Sequence, residues 1–201
     1  MDTTLRPDLA AQPEARIGSA EPAVSSAAHA AIHPLARKAL YAIAGSALVA
    51  LSAHVSVPLG FTPVPLTLQP FAVLLLGLLL DPVTAFATLS LYLAEGAAGM
   101  PVFSPHGPGG GYLMAAPVAA AVASLLSRLK KGFFVMLASA AIGDAILLIT
   151  GAAWLGLLTH ASLHVQFAQS IAPFLPTDAI KVVAAAICAG TLSSFRNQQT
   201  R

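Results

Sequence analysis

The sequence predicts an all-α, polytopic membrane protein: a six-transmembrane-helix bundle with the N and C termini cytoplasmic. Three observations lead there. Of the 201 residues, 57% are hydrophobic and 9% charged, whereas an ordinary domain in water is about 45–50% apolar and about 25% charged. That leaves too little polar surface to cover a globule in water, so most of the chain must face lipid. Apolar segments recur along the chain, separated by proline, glycine or charge. The basic residues cluster at alternate segment ends. The same composition excludes a soluble enzyme and a disordered hub, and a net charge of +2 is too small to point to a nucleic-acid partner.

Residues 1–34 read as a disordered tail. They hold Asp2, Asp8, Glu14 and Glu21 with Pro7, Pro13, Pro22 and Pro34, a composition that cannot bury enough surface to offset chain entropy. No apolar block with a basic start appears there, so the stretch does not read as a secretory signal. Residues 35–196 form the membrane-embedded domain, and 197–201 a short C-terminal tail.

The first segment runs from Leu35 to Val57 and ends at Pro58 and Gly60; the second runs from Pro65 to the Asp81-Pro82 turn. A third continues from Val83 to Leu93 or Ala98 and is followed by a Gly- and Pro-rich loop, Gly99 to Gly111. The fourth spans Tyr112 to Leu126, the fifth Phe133 to Leu158, and the sixth Asp178 to Phe195. Upright crossing takes about 20 apolar residues. The second and third are shorter and belong inside a compact bundle. Arg37 and Lys38 precede the first helix, Arg128, Lys130 and Lys131 follow the fourth, and Arg196 and Arg201 follow the sixth. Six spans put all of these on the cytoplasmic side, as the positive-inside rule requires. Lys181 is the exception.

Asp178 and Lys181 lie three apart at a helix start, and so share a face. One reading is structural: Thr177 or Asp178 caps the helix and Lys181 snorkels to the headgroups. The other is a polar anchor for a small ligand, with a carboxylate for its N–H groups and an ammonium for its oxygen. The Gly99–Gly111 loop is either a flexible connector or a lid whose glycines let backbone approach a ligand. Segment Gly60–Gln69 is held extended by its X-Pro steps and offers Thr62, Thr67 and Gln69 beside an apolar space. Asp144, mid-segment in the fifth helix, is a proton relay or a packing acid. Glu95 lines the site or faces water, and Trp154 reads as an interface anchor. No phosphate-cradling loop occurs. The six histidines are scattered, His160 and His164 reading as interfacial, so no metal site or cofactor is expected. In the first helix, Ala42, Ser46 and Ala50 recur at four-residue spacing, a stripe that lets helices pack closely in lipid.

Four segments, Phe61-Thr-Pro-Val-Pro-Leu-Thr-Leu-Gln69, Leu91-Tyr-Leu-Ala-Glu-Gly-Ala-Ala-Gly-Met-Pro-Val-Phe103, Gly111-Tyr-Leu113 and Pro173-Phe-Leu-Pro-Thr-Asp-Ala-Ile-Lys181, resemble the BioY family, the biotin-specific substrate-binding components of energy-coupling-factor (ECF) transporters. The resemblance covers nearly everything after the tail, in the same order. It implies a non-enzymatic, multi-pass protein of the plasma (inner) membrane that captures biotin at the outer face. It further implies substrate contacts from Asp178, Lys181 and Tyr112, with Thr67, Gln69, Gly110 and Gly111 beside them. Partners would be an ECF transmembrane coupling subunit, docked on the Ala42, Ser46 and Ala50 face, and separate ATP-binding subunits. The chain departs from the family where Pro108-Gly-Gly-Gly-Tyr112 replaces a longer stretch, and where Pro-Thr-Asp replaces the usual Pro-Gly-Asp before the last helix. The shortened loop keeps two alternatives open: capture of another small vitamin, or a degenerate bundle that no longer transports.

Overall fold

The computed structural model describes residues 34–105 and 110–199. The expected tail at residues 1–34 lies outside them except for Pro34, as do His106 and its neighbours up to residue 109. Seven helices and one short strand pair make up the described residues: α1 (Pro34–His54), β1 (Ser56–Val57), β2 (Leu66–Thr67), α2 (Gln69–Leu79), α3 (Pro82–Ala97), α4 (Gly110–Ser127), α5 (Phe133–Thr159), α6 (Leu163–Ser170) and α7 (Leu175–Gln199). Four of them, α1, α4, α5 and α7, are long and apolar enough to cross a membrane. Six of the seven match the expected segments. The seventh, α6, forms where only a polar connection was expected, and α7 continues through residues assigned to a C-terminal tail.

Side-chain placement follows the lipid-facing composition. Leu51, Val83, Phe134, Leu157 and Ile180 point outward, while the interior is built largely from alanine, including Ala72, Ala85, Ala116, Ala120, Ala140 and Ala186. Small interior residues let backbones approach, and in lipid that van der Waals contact is what holds helices together. At Gly77 a Cβ would stand 2.8 Å from the Ala120 carbonyl oxygen, and at Gly143 one would stand 2.9 Å from Leu74 Cδ2. The backbone of α4 therefore lies close against the backbones of α2 and α5. The 11 residues of α2 are too few to span a bilayer, but α2 packs against α1, α4, α5 and α7, which explains how so short an apolar helix is accommodated.

The Asp81-Pro82 turn shows why α3 starts where it does. Asp81 is its N-cap: Oδ1 accepts from the Thr84 N–H at 3.2 Å and Oδ2 from the Thr84 hydroxyl at 2.6 Å, with Pro82 in the first turn, where its missing N–H costs nothing. Lys38, from the start of α1, reaches Oδ2 at 3.4 Å. Arg128, from the end of α4, donates to the Leu80 carbonyl at 2.8 Å. Basic groups from two helices thus converge on one end of the bundle. The strand pair and the start of α2 lie at the other.

Within the chain, the small-residue stripe on α1 packs in part against α3. Ser46 is fully buried and its hydroxyl donates to Glu95 Oε2 of α3. Beside it, a Cβ at Gly45 would meet Thr88 Cγ2 at 2.6 Å. Ala42 and Ala50 are half-buried, whereas Ala39 and Ala47 are exposed. The physical reason is that α1 spends its small side chains on a close crossing with α3. The same bond accounts for Glu95, which is spent on Ser46.

Candidate functional site

A cavity lies at the end of the bundle away from the Asp81 turn. Its walls are mainly apolar: Val64, Val73, Phe103, Leu147, Leu148 and Phe174. Set among them are Thr67, Gln69, Tyr112, Asp144, Asp178 and Lys181.

The ion pair comes from the first turns of α7. Lys181 Nζ stands 2.7 Å from Asp178 Oδ1, and the two residues are only 9% and 3% exposed. Both structural readings of the pair therefore fail. Asp178 directs its carboxylate at Lys181 rather than at orphan helix N–H groups, Thr177 bonds back to the Phe174 carbonyl at 2.9 Å, and the ammonium does not reach outward. An ion pair withdrawn from water is costly unless its geometry is good, and this one stands in the cavity wall.

Tyr112 is positioned by its two ends. Its ring lies over Gly151, where a Cβ would stand 2.2 Å from the ring, and beside Phe174 at a centroid distance of 6.3 Å. Its hydroxyl donates to the Ser170 carbonyl at 2.7 Å. On the hairpin side, the Thr62 hydroxyl donates to the adjacent Gln169 carbonyl at 2.8 Å. Two donors from distant elements thereby hold the end of α6 against the β1–β2 segment and α4. Thr67 pairs with Ser56 in the strand ladder, and Gln69 opens α2.

Of the residues expected at the site, Asp178, Lys181, Tyr112, Thr67 and Gln69 line this cavity; Gly110 and Gly111 do not. Their use is packing: a Cβ at Gly111 would lie 2.2 Å from Trp154 Cβ and 2.8 Å from the Thr150 carbonyl oxygen, and one at Gly110 would lie 2.9 Å from Trp154 Nε1. Trp154 is correspondingly half-buried against α4. The first half of the Gly99–Gly111 loop is anchored, since Phe103 stands edge-on to Tyr92 at 5.4 Å and the Tyr92 hydroxyl donates to the Val102 carbonyl at 3.1 Å. Phe103, Ser104 and Phe174 are lining residues that sequence reasoning missed. Asp144, ambiguous in the sequence, is 7% exposed and lines the cavity. His160 and His164 are exposed, and no three metal-ligating side chains come together among the described residues. The arrangement suits reversible binding: an apolar enclosure with one ammonium, two carboxylates and a few neutral hydrogen-bonding groups.

The BioY family model matches residues 21–198. The chain belongs to the BioY family. Among BioY relatives, it is 35% identical over 148 residues to the "Probable biotin transporter BioY" of Pyrococcus horikoshii, covering 70% of this chain and 86% of that one. It is 35% identical over 145 residues to the "Biotin transporter BioY" of Thermotoga maritima, covering 68% of this chain and 84% of the other. A crystal structure described as the S-component for biotin from an ECF-type ABC transporter superposes with a TM-score of 0.72 at 22% identity, over 79% of this chain and 91% of that chain. At that identity the superposition establishes a shared fold: the helical arrangement of this BioY chain is that of an S-component.

Proposed function

We propose that this chain is the membrane-embedded biotin-capture subunit of an ECF-type uptake system. The observation that carries the reading is the Asp178–Lys181 pair, buried at 2.7 Å in the wall of an otherwise apolar cavity. Biotin is an apolar bicycle and chain with polar ends, the kind of ligand that a dry pocket with a few convergent polar groups selects. The relatives named as biotin transporters support the same ligand. The six helices that match the expected segments form one plasma-membrane bundle, with the short α2 enclosed by its neighbours and both termini in the cytoplasm. Lys38 and Arg128 at the Asp81 end follow the positive-inside rule and leave the cavity facing outward. Energy comes from separate ATP-binding subunits through a transmembrane coupling subunit. On α1 the half-buried Ala42 and Ala50 and the exposed Ala39 and Ala47 are small residues available to that subunit.

The direct test is equilibrium binding of biotin to the purified full chain in detergent. Saturable binding that is strongly weakened in D178A and K181A is the expected result. Absence of saturable biotin binding by the wild-type chain overturns the reading.

A further inference from the structure

Asp178 and Lys181 satisfy one another, but the third charged group of the cavity is left over. Asp144 Oδ1 is fully buried and has no hydrogen-bond partner. The residue sits in the middle of α5, among cavity residues Val73, Ala116, Leu147 and Leu148, where an apolar side chain would fill the same space without desolvating a carboxyl. Its backbone is held in place by the adjacent Gly143, whose Cα side abuts the Ala119 carbonyl oxygen and Ala123 of α4. Three acidic or basic side chains, Asp144, Asp178 and Lys181, therefore line one cavity beside its neutral polar groups.

A cyclic urea presents the complementary set, a carbonyl oxygen flanked by two N–H groups. We propose that Asp144 is a ligand-contacting, specificity-determining residue: its free oxygen accepts one ring N–H, Asp178 accepts the other, and the Lys181 ammonium donates to the carbonyl between them. This rests on the biotin reading, because the head of biotin is such a urea. It adds a contact from α5, so that the ring is read from two helices instead of from α7 alone. A ligand lacking the N–H on the Asp144 flank would lose that contact.

The test is a cycle between protein and ligand. Wild type, D144A and D144N are purified as full chains in detergent and titrated with biotin and with its two singly N-methylated ureido isomers. D144A is expected to weaken biotin about tenfold or more, the range for a hydrogen bond to a charged group. D144N retains an oxygen and loses less. For the isomer methylated at the Asp144 flank, the D144A penalty disappears, while the other isomer keeps it. Biotin binding by D144A within twofold of wild type, or one penalty common to all three ligands, would falsify the assignment and leave Asp144 a structural acid. If D144A does not purify as a monodisperse species, D144N against the same three ligands carries the same cycle. A wild-type chain that fails to bind biotin overturns the biotin reading itself, whereas binding without dependence on Asp144 overturns only this inference.

Discussion

Removing Asp178 and Lys181 singly and then together separates what the pair does for stability from what it does for capture. Both side chains are nearly inaccessible and meet at 2.7 Å. In D178A the ammonium is stranded in an apolar wall, and breaking a buried pair from one side costs about 3–5 kcal/mol. The K181M variant strands the carboxylate in the same way. In the double variant D178L/K181M neither charge remains. Replacement of a buried ion pair by apolar groups of similar volume is neutral or stabilising by about 1–4 kcal/mol. The assay is thermal unfolding in detergent followed by fluorescence of Trp154, the single tryptophan, which packs on Gly110 and Gly111 beside the cavity. The expected order is a lowered midpoint for each single variant and a midpoint at or above wild type for the double, with biotin binding lost in all three. A D178A midpoint equal to wild type would mean that the pair is solvated in the native state. A double variant as unstable as the sum of the singles would mean that the two residues pack independently of their charges. Either result refutes the reasoning.

Three further perturbations test the surrounding framework. Gly151→Ala places a Cβ at 2.2 Å from the Tyr112 ring, so the ring must shift and its bond to Ser170 at 2.7 Å is lost; destabilisation of about 1–3 kcal/mol and weaker ligand binding should appear in the same two assays. Thr62→Val deletes the donor to the Gln169 carbonyl, costing about 1 kcal/mol, and bound ligand should dissociate faster in a chase experiment as the hairpin is released. The Asp81 carboxyl is held below its ordinary range chiefly by the side-chain hydrogen bond from Thr84, against the opposing effect of burial and with help from the Thr84 N–H and Lys38. A depressed value in the folded state means that its stabilisation is complete at neutral pH and is lost as pH falls through that value. D81A should therefore unfold more easily than wild type at pH 7, by about 1 kcal/mol for a lost cap, and the gap should narrow below about pH 4.

The parts of this molecule legible in the sequence are those whose physics is local. Helix limits follow from Pro, Gly and charge, and the i, i+3 spacing of Asp178 and Lys181 alone puts them on one face. What escaped depends on partners distant in the chain. A glycine allows either a mobile backbone or a close approach, and nothing local decides between them; Gly110 and Gly111 proved to be contact points for Trp154. The same holds for Ala42, Ser46 and Ala50, because a small-residue stripe serves equally for a neighbour within the chain or outside it; that Ser46 meets Glu95 depends on a residue 49 positions away. Phe103 carries no polar signal, and its place in the wall is set by Tyr92 across a loop. Helix α6 is short and polar, so no hydrophobic period announces it; its Gln166 seats over Gly156 of α5.

The packing that stabilises the bundle also creates the cavity. Around Gly77, Ala120, Ala123 and Gly143 the helices α2, α4 and α5 touch through backbone and methyl groups, leaving no room for a ligand. About one turn nearer the hairpin the facing residues become Val73, Ala116 and Leu147, and at that level the space between them is the cavity. Adjacent residues on a helix point about 100° apart, so the glycine that fixes α5 against α4 also sends the next side chain, Asp144, toward the cavity. Close contact below excludes water from beneath the polar groups, and low polarity strengthens each hydrogen bond that a ligand completes there. The site needs no separate scaffold: the run of small residues that substitutes for a hydrophobic driving force in lipid ends where larger side chains begin, and that boundary lies at the level of the charged groups.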